Sequence, residues 1–236
     1  MKIKTRKDRE SEYELLYSNI SNDAYTRVSE YLGKSFTPEL LKAAQDRIEN
    51  VKKNIEYHTL NFTFYEVPIQ TNRPRVNYHT RNIHVPNARA NSDAIEKLVL
   101  GIRDDMELIA TPSRVIMTAY YPMPKGAKPL DVLMYETCHG YAIGKPDFDN
   151  VLKAYCDMIK NHIILDDDLV SSSRFDKYFS LKPRVDLSIT YTNGYASEYT
   201  YKKIKSRKTF EEQSDRIKAK LLVQPFKQKR GGKNDI

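Results

Sequence analysis

Lys145-Pro146-Asp147-Phe148-Asp149-Asn150-Val151-Leu152-Lys153 is the stretch from which the reading of this 236-residue chain proceeds. Pro146 fixes its own φ and biases Lys145 toward extended backbone, so the approach reads as a strand end or loop. After Asp149 the pattern turns helical. Val151, Leu152, Tyr155, Met158 and Ile159 recur at the spacing of one apolar helix face. Asp149 or Asn150 is then the expected N-cap. Asn150, Lys153 and Asp157 fall on the polar side of the same helix. Backbone N–H groups, the positive end of the helix dipole and Lys153 thus share one place with two carboxylates. Such a place suits an anionic phosphate bound through a cation.

Working outward, the helix is expected over residues 150–161. Ile163-Ile164-Leu165 reads as a short buried strand carrying Asp166-Asp167-Asp168 at its C-terminal end. Three adjacent carboxylates repel one another unless a counter-cation offsets them. Mg²⁺ takes oxygen ligands, keeps several waters and is held by one or two carboxylates plus substrate phosphate. Metal-assisted phosphodiester hydrolysis uses that arrangement. Taken singly, each feature has a plain reading: Asp-x-Asp as a helix cap, the Asp triplet as a solvated turn, Lys153 as a surface lysine. Their combination in one register is far more specific.

That combination resembles the RusA family of Holliday-junction resolvases, which carry [Lys/Leu]-x-Asp-x-Asp-Asn-Leu-x-Lys, a helix, and then Asp-Asp-x-x-Val. The resemblance covers roughly residues 60–192. It implies that Asp147, Asp149 and Asp167 bind metal and that Lys153 is the catalytic lysine. Asp166 is the first member of the family's Asp pair, and Val170 its valine. Within a triplet a one-residue register stays open, so Asp166 is an alternative ligand to Asp167. Arg73-Pro74-Arg75 resembles an Arg-Pro-Arg that lies near DNA in many members. With Lys145 and Lys177, which matches a basic residue on the following strand, Arg73 and Arg75 form the implied DNA-binding set. The resemblance further implies Mg²⁺ as cofactor with Mn²⁺ as substitute, four-way-junction DNA as substrate, a homodimer, and a bacterial or bacteriophage origin with a cytoplasmic setting.

The rest of the chain is read as follows. A helical N-terminal extension is expected over 1–57, with Thr37 capping a helix that starts at Pro38. Its stripe of Leu41, Ala44, Ile48, Val51 and Ile55 suits a two-helix seam. The nuclease domain is expected over 58–200. Strands read over 59–67, 114–121, 170–179 and 185–191, and a helix from Ser92 to about Leu108. Asn193-Gly194 carries a hairpin signal that would return 195–201 as a strand. The fold class is therefore α+β, a small mixed sheet packed with helices.

Net charge is +8. Residues 201–236 hold 12 Lys/Arg against 4 Asp/Glu, so the excess lies wholly in a basic C-terminal tail. Such a tail suits salt-dependent phosphate binding or plain solubilisation. The two cysteines lack metal-ligand spacing and read as reduced thiols. No apolar run reaches membrane-spanning length, and no membrane partner is expected. Three functions compete: a junction-resolving endonuclease, a less selective structure-specific metal nuclease, and a non-catalytic DNA-binding protein. The co-occurrence of the aspartates with Lys153 favours the first.

Overall fold

The computed structural model describes residues 21–71, 75–76, 83–84 and 106–224. The chain groups into two compact units.

The larger unit comprises Tyr57–Asn193 and Lys203–Ala219. Its centre is a four-stranded mixed sheet built from β1 (Tyr57–Phe64), β4 (Ser113–Pro122), β5 (Val170–Ser180) and β6 (Arg184–Thr192). The spatial order is β1-β6-β4-β5. β4 and β5 run parallel, and the other neighbours are antiparallel. A parallel pair needs a long crossover. Here that crossover carries α3 (Pro129–Glu136) and α4 (Phe148–Ile159), so the topology places the acidic stretch between two strands that pair directly. Two short strands, β2 (Arg75–Val76) and β3 (Ile83–His84), pair with each other separately.

The strict alternation of β4 and β6 divides the sheet into two faces. Val115, Met117, Ala119, Val185, Leu187 and Ile189 point into the core. Val151, Ala154, Tyr155, Met158 and Ile159 of α4 belong to the same core cluster. The five side chains recur at helical spacing, and their burial fixes which face of α4 remains for chemistry. Thr59, Asn61 and Thr63 alternate with the core-directed Leu60, Phe62 and Phe64 on β1, as an antiparallel strand with one polar face requires.

The smaller unit comprises Met1–Glu56, Gly194–Lys202 and Lys220–Ile236. Within it, α1 spans Asn22–Leu32 and is capped by Ser21, whose Oγ accepts from Ala24 N at 3.2 Å. α2 spans Pro38–Asn54, and Thr37 Oγ1 accepts from Leu40 N at 3.3 Å, as the Thr-Pro signal implies. Leu41 of the expected stripe is buried. β7 (Gly194–Tyr195) pairs in parallel with β8 (Lys220–Leu221). α5 spans Glu198–Lys205, and α6, over Lys208–Glu212, falls in the larger unit.

Several expectations need correction. The N-cap of α4 is Asp147, not Asp149 or Asn150, so the helix begins before the second aspartate and takes it into the first turn. Ile163-Ile164-Leu165 is fully buried but forms no strand. Ile164 makes isolated bridges to Lys160 and to Ile109, the latter with Ile109 N donating to Ile163 O and Leu165 N to Ile109 O, both at 2.8 Å. Asn193-Gly194 is not a hairpin turn. Gly194 sits where an added Cβ would collide with the backbone carbonyl of Lys220, so the close approach of β8 explains the glycine. The expected strand over 195–201 is instead largely helical. Ser197 Oγ accepts from Thr200 N at 3.3 Å and starts α5, and Glu198 pairs with Lys202 one turn on. β1 stops at Phe64, before Val67-Pro68, because proline ends a strand. Residues 92–105 of the expected helix lie outside the described residues, and 106–108 are not helical.

Candidate active site

α4 begins where the chain leaves β5's side. Lys177, on β5, holds the approach in place: its Nζ donates to Gly144 O at 2.7 Å and to Pro146 O at 2.8 Å. Its own carbonyl accepts from Ala142 N at 2.9 Å. Gly144 has φ +97°, in the left-handed region that favours glycine, and lets the loop turn toward this lysine. Lys177 thus fixes the backbone just before Asp147. Burial depresses its pKa, and the charge of Asp147 opposes that shift.

Gly144, Asp147, Phe148, Asp149 and Lys177 line an open depression of about 530 Å³. The two aspartates carry the anionic donors. Phe148 leans against Phe175 of β5, with ring centroids 6.4 Å apart. Val151 N donates to Asp147 O at 3.3 Å and closes the first helical turn. Thr71 adds a second support, its N donating to Asn150 O at 3.0 Å. The depression therefore lies at the N-terminal end of a 12-residue helix, where the dipole favours anions.

The polar face of α4 continues away from this depression. Asp149, Lys153, Asp157 and Lys160 follow at spacings of four, four and three residues, one charged stripe along the helix. Lys153 is exposed and one turn beyond Asp149. At the far end stands the acidic turn, where a 3₁₀ turn spans Asp167–Leu169. Lys160 Nζ lies 2.6 Å from Asp166 Oδ1 and 3.1 Å from Asp167 Oδ1. Arg207 Nη1 lies 3.1 Å from Asp166 Oδ2, and Arg207 Nη2 lies 2.5 Å from Asp168 Oδ2. The Asp168 carboxyl is held below its ordinary value by the hydrogen bonds from Arg207. That of Asp167 is lowered by hydrogen bonding with Asp166 and to Lys160. The charge of Asp167 also reaches Cys156, whose thiol burial pushes up to about 11. Cys156 is seven residues beyond Asp149, which at a rise of 1.5 Å per residue is roughly 10 Å along the axis.

The structure therefore brings Asp147, Asp149 and Lys177 together and places Lys153 on the adjoining turn. Asp166 and Asp167 stand further along the helix, beside Lys160 and Arg207. Among the described residues no three His, Cys, Asp or Glu side chains gather closely enough to hold a metal ion together. The donor chemistry of Asp147 and Asp149 nonetheless fits a hard cation. Mg²⁺ needs only one or two protein carboxylates when waters and a substrate phosphate complete its shell. Lys145 is exposed at the entrance of the same loop. Arg73 lies outside the described residues. Arg75 falls in β2, and its side chain is outside them too.

Sequence reasoning missed Gly144 and Phe148 as walls of the depression, and Lys160 and Arg207 as partners of the acidic turn. Lys160 was findable, since a cation at a helix C-terminus complements the dipole. Arg207 carried no local signal, because its contacts span about 40 residues of sequence.

A family model described as "Endodeoxyribonuclease RusA" matches residues 66–190, just over half of the chain. The chain is also similar to "Uncharacterized protein YqaN" of Bacillus subtilis (strain 168). The two are 27% identical over 135 residues, which cover 55% of this chain and 94% of that relative.

Proposed function

The chain belongs to the RusA endodeoxyribonuclease family, whose members hydrolyse DNA at Holliday junctions, and on that premise we propose that it is a Mg²⁺-dependent enzyme that resolves four-way junctions by paired nicks in recombination and repair. The observation that carries this reading is the pairing of Asp147 and Asp149 on one open depression at the N-terminal end of α4. Asp147 and Asp149 would hold the divalent metal, with Asp167 as the further carboxylate that the family resemblance implies. Mn²⁺ is expected to substitute. When bound, the metal supplies Lewis acidity, lowering the pKa of water and offsetting charge on the phosphate.

The chain's own residues do the rest. Lys177 fixes the loop that carries Asp147, so the carboxylate is positioned before substrate arrives. Lys153, one turn beyond Asp149 on the same face, offsets the negative charge that develops on the reacting phosphate. Lys145, Arg73 and Arg75 position the DNA backbone and carry no base information. A two-fold homodimer presents two such sites to the two strands of a two-fold junction. The nuclease domain spans 58–200, with a helical extension before it and a basic segment after it. The setting is the cytoplasm of a bacterium or of a phage-infected bacterial cell, and no helix among the described residues is long and apolar enough to cross a membrane.

The test is cleavage of a labelled synthetic four-way junction beside matched linear duplex and flap substrates, with Mg²⁺ or with chelator. Symmetric nicks in the junction alone, absent in chelator and in Asp149→Asn, are the expected result. Equal cutting of all three substrates would replace the junction resolvase by a less selective structure-specific nuclease. Binding without cutting in any divalent metal would leave a non-catalytic DNA-binding protein.

A further inference from the structure

The face of the sheet turned away from α4 carries a row of stacked rings that the metal site does not use. The pairing register puts Tyr120 of β4 opposite Tyr178 of β5 and opposite Arg184 of β6. Strand alternation sends these three side chains to the side opposite the buried Met117, Ala119 and Val185. The rings of Tyr120 and Tyr178 stack with centroids 5.9 Å apart. Tyr141 stacks on Tyr178 in turn, at 5.1 Å and an interplanar angle of 23°. At the other end the guanidinium carbon of Arg184 lies 3.6 Å from the Tyr120 ring centroid. One cation and three rings thus form a row that runs from β6 across β4 and β5 and ends in Tyr141.

The row is held at both ends. Arg184 Nε donates to Asp186 Oδ2 at 3.1 Å and Nη1 to Lys182 O at 3.3 Å, which fixes the guanidinium plane. The backbone of Tyr141 bridges that of Tyr178, and Ala142 N donates to Lys177 O at 2.9 Å. Tyr178 is 8% exposed, whereas Tyr141 is 60% exposed. Among the described residues Tyr141 meets no second ring. An open flat ring at the end of a fixed stack suits a nucleobase, since every base has a π face and a ring already held loses little freedom on binding. The charges nearby admit an anionic strand. Asp176 and Asp186 are paired with Arg174 and Arg184 at 2.8 and 3.1 Å. Lys145 is exposed four residues after Tyr141, and Lys182 Nζ lies 4.2 Å from the ring centroid of the exposed Tyr65. Chain length ties the row to the depression. Tyr141 precedes Asp147 by six residues, at most ~20 Å of extended chain. Bases rise 3.4 Å per step along one strand, so a base on Tyr141 falls within about six nucleotides of a phosphate at Asp147.

We infer that this row is a stacking platform for DNA, and that the exposed ring of Tyr141 takes an unpaired base close to the scissile phosphate. The inference rests on the reading above that the chain acts on branched DNA. It makes Tyr141 a specificity-determining residue. Bases in a continuous duplex are covered on both faces by their neighbours, whereas a base freed at a branch point offers a face to the ring.

The test uses the full chain in chelator. Kd is measured for a synthetic four-way junction, a single-stranded oligonucleotide and a continuous duplex. Tyr141→Leu, which removes the ring and keeps apolar bulk, is expected to raise Kd for the junction and the single strand about tenfold, roughly 1.4 kcal/mol, and to leave Kd for the duplex unchanged. Tyr141→Phe, which keeps the ring, is expected to bind all three as wild type does. An abasic site moved through the nucleotides beside the nick should cost wild type the same factor at one position and cost Tyr141→Leu nothing there. A purely structural role would lower the unfolding midpoint and leave that abasic dependence in place. Wild-type Kd for all three probes in a folded Tyr141→Leu would overturn the inference and leave the row to packing or to a protein partner. Equal losses on junction and duplex would overturn it as well. Should the variant not fold, an abasic series with no costly position in wild type would overturn it. Junction cleavage in Mg²⁺ runs in parallel. If wild type neither prefers nor cuts the junction, the reading of branched DNA fails and the inference with it; if it does both while Tyr141→Leu matches it, only the role of Tyr141 fails.

Discussion

The two ends of α4 carry the same residue type in opposite circumstances. At the N-terminal end, Asp147 and Asp149 open onto a depression beside the helix dipole. At the C-terminal end, Arg207 engages Asp166 and Asp168, and Lys160 meets Asp166 and Asp167. Carboxylates matched to fixed cations stabilise a turn. Carboxylates lining an open depression at a helix N-terminus leave room for a cation and a phosphate to arrive together. The difference teaches that carboxylates of one motif can meet different surroundings, an open depression at one end of a helix and fixed cations at the other.

The largest effect should come from the open end. Asp149→Asn is expected to slow junction cleavage about a thousandfold, roughly 4 kcal/mol of barrier, while junction binding in chelator is retained. Asp147→Asn should match it within a factor of about ten. A Lys153→Ala protein should lose about a hundredfold in single-turnover rate, close to what removal of one transition-state donor costs. If Lys153→Ala instead raises only the junction Kd, the lysine grips ground-state DNA and the comparison loses its catalytic partner.

Next in size is the loop that presents Asp147. Lys177→Met removes two charged hydrogen bonds to the carbonyls of Gly144 and Pro146. Urea unfolding should show a loss of about 2 kcal/mol, and cleavage should fall with it. An unchanged urea midpoint with reduced DNA affinity would make Lys177 a DNA contact and not a loop anchor.

The smallest effect is at the closed end. The Asp168 carboxyl titrates below its ordinary value because Arg207 stabilises the ionised form. A depressed folded-state pKa gives stability that is present above the unfolded value and is lost as pH falls through the folded one. The acid limb of the stability curve, below about pH 4, should therefore be shallower in Asp168→Asn than in wild type, the small stability difference being present at neutral pH and vanishing in acid. An identical acid limb would show that the ion pair contributes nothing in solution.

Much of this was legible before any coordinates. Strict alternation gave β4 and β6, and the apolar face of α4 followed from Val151, Tyr155 and Met158, because burial on one side imposes a period that sequence records. Thr37-Pro38 marked a helix start through cap chemistry alone. What failed depended on distant backbone. Asn193-Gly194 looks like a turn, but the approach of Lys220 explains the glycine. Ile163-Ile164-Leu165 has the composition of a strand, yet it makes only isolated bridges among the described residues, from Ile164 to Ile109 and to Lys160. Within the site, Asp147, Asp149 and Lys153 were found together because one helix carries them. The fork of Arg207 across Asp166 and Asp168 was hidden, since nothing local in 201–236 distinguishes that arginine from its basic neighbours.

The central claim is that Asp147 and Asp149 at the open end of α4 serve the reaction and that Asp168, held by Arg207, serves the architecture. Single-turnover cleavage of one labelled four-way junction, at saturating Mg²⁺, by Asp149→Asn and by Asp168→Asn tests it most directly. The account predicts a loss of about a thousandfold for Asp149→Asn and less than about tenfold for Asp168→Asn. The reverse order, or equal losses in two folded proteins, would contradict it.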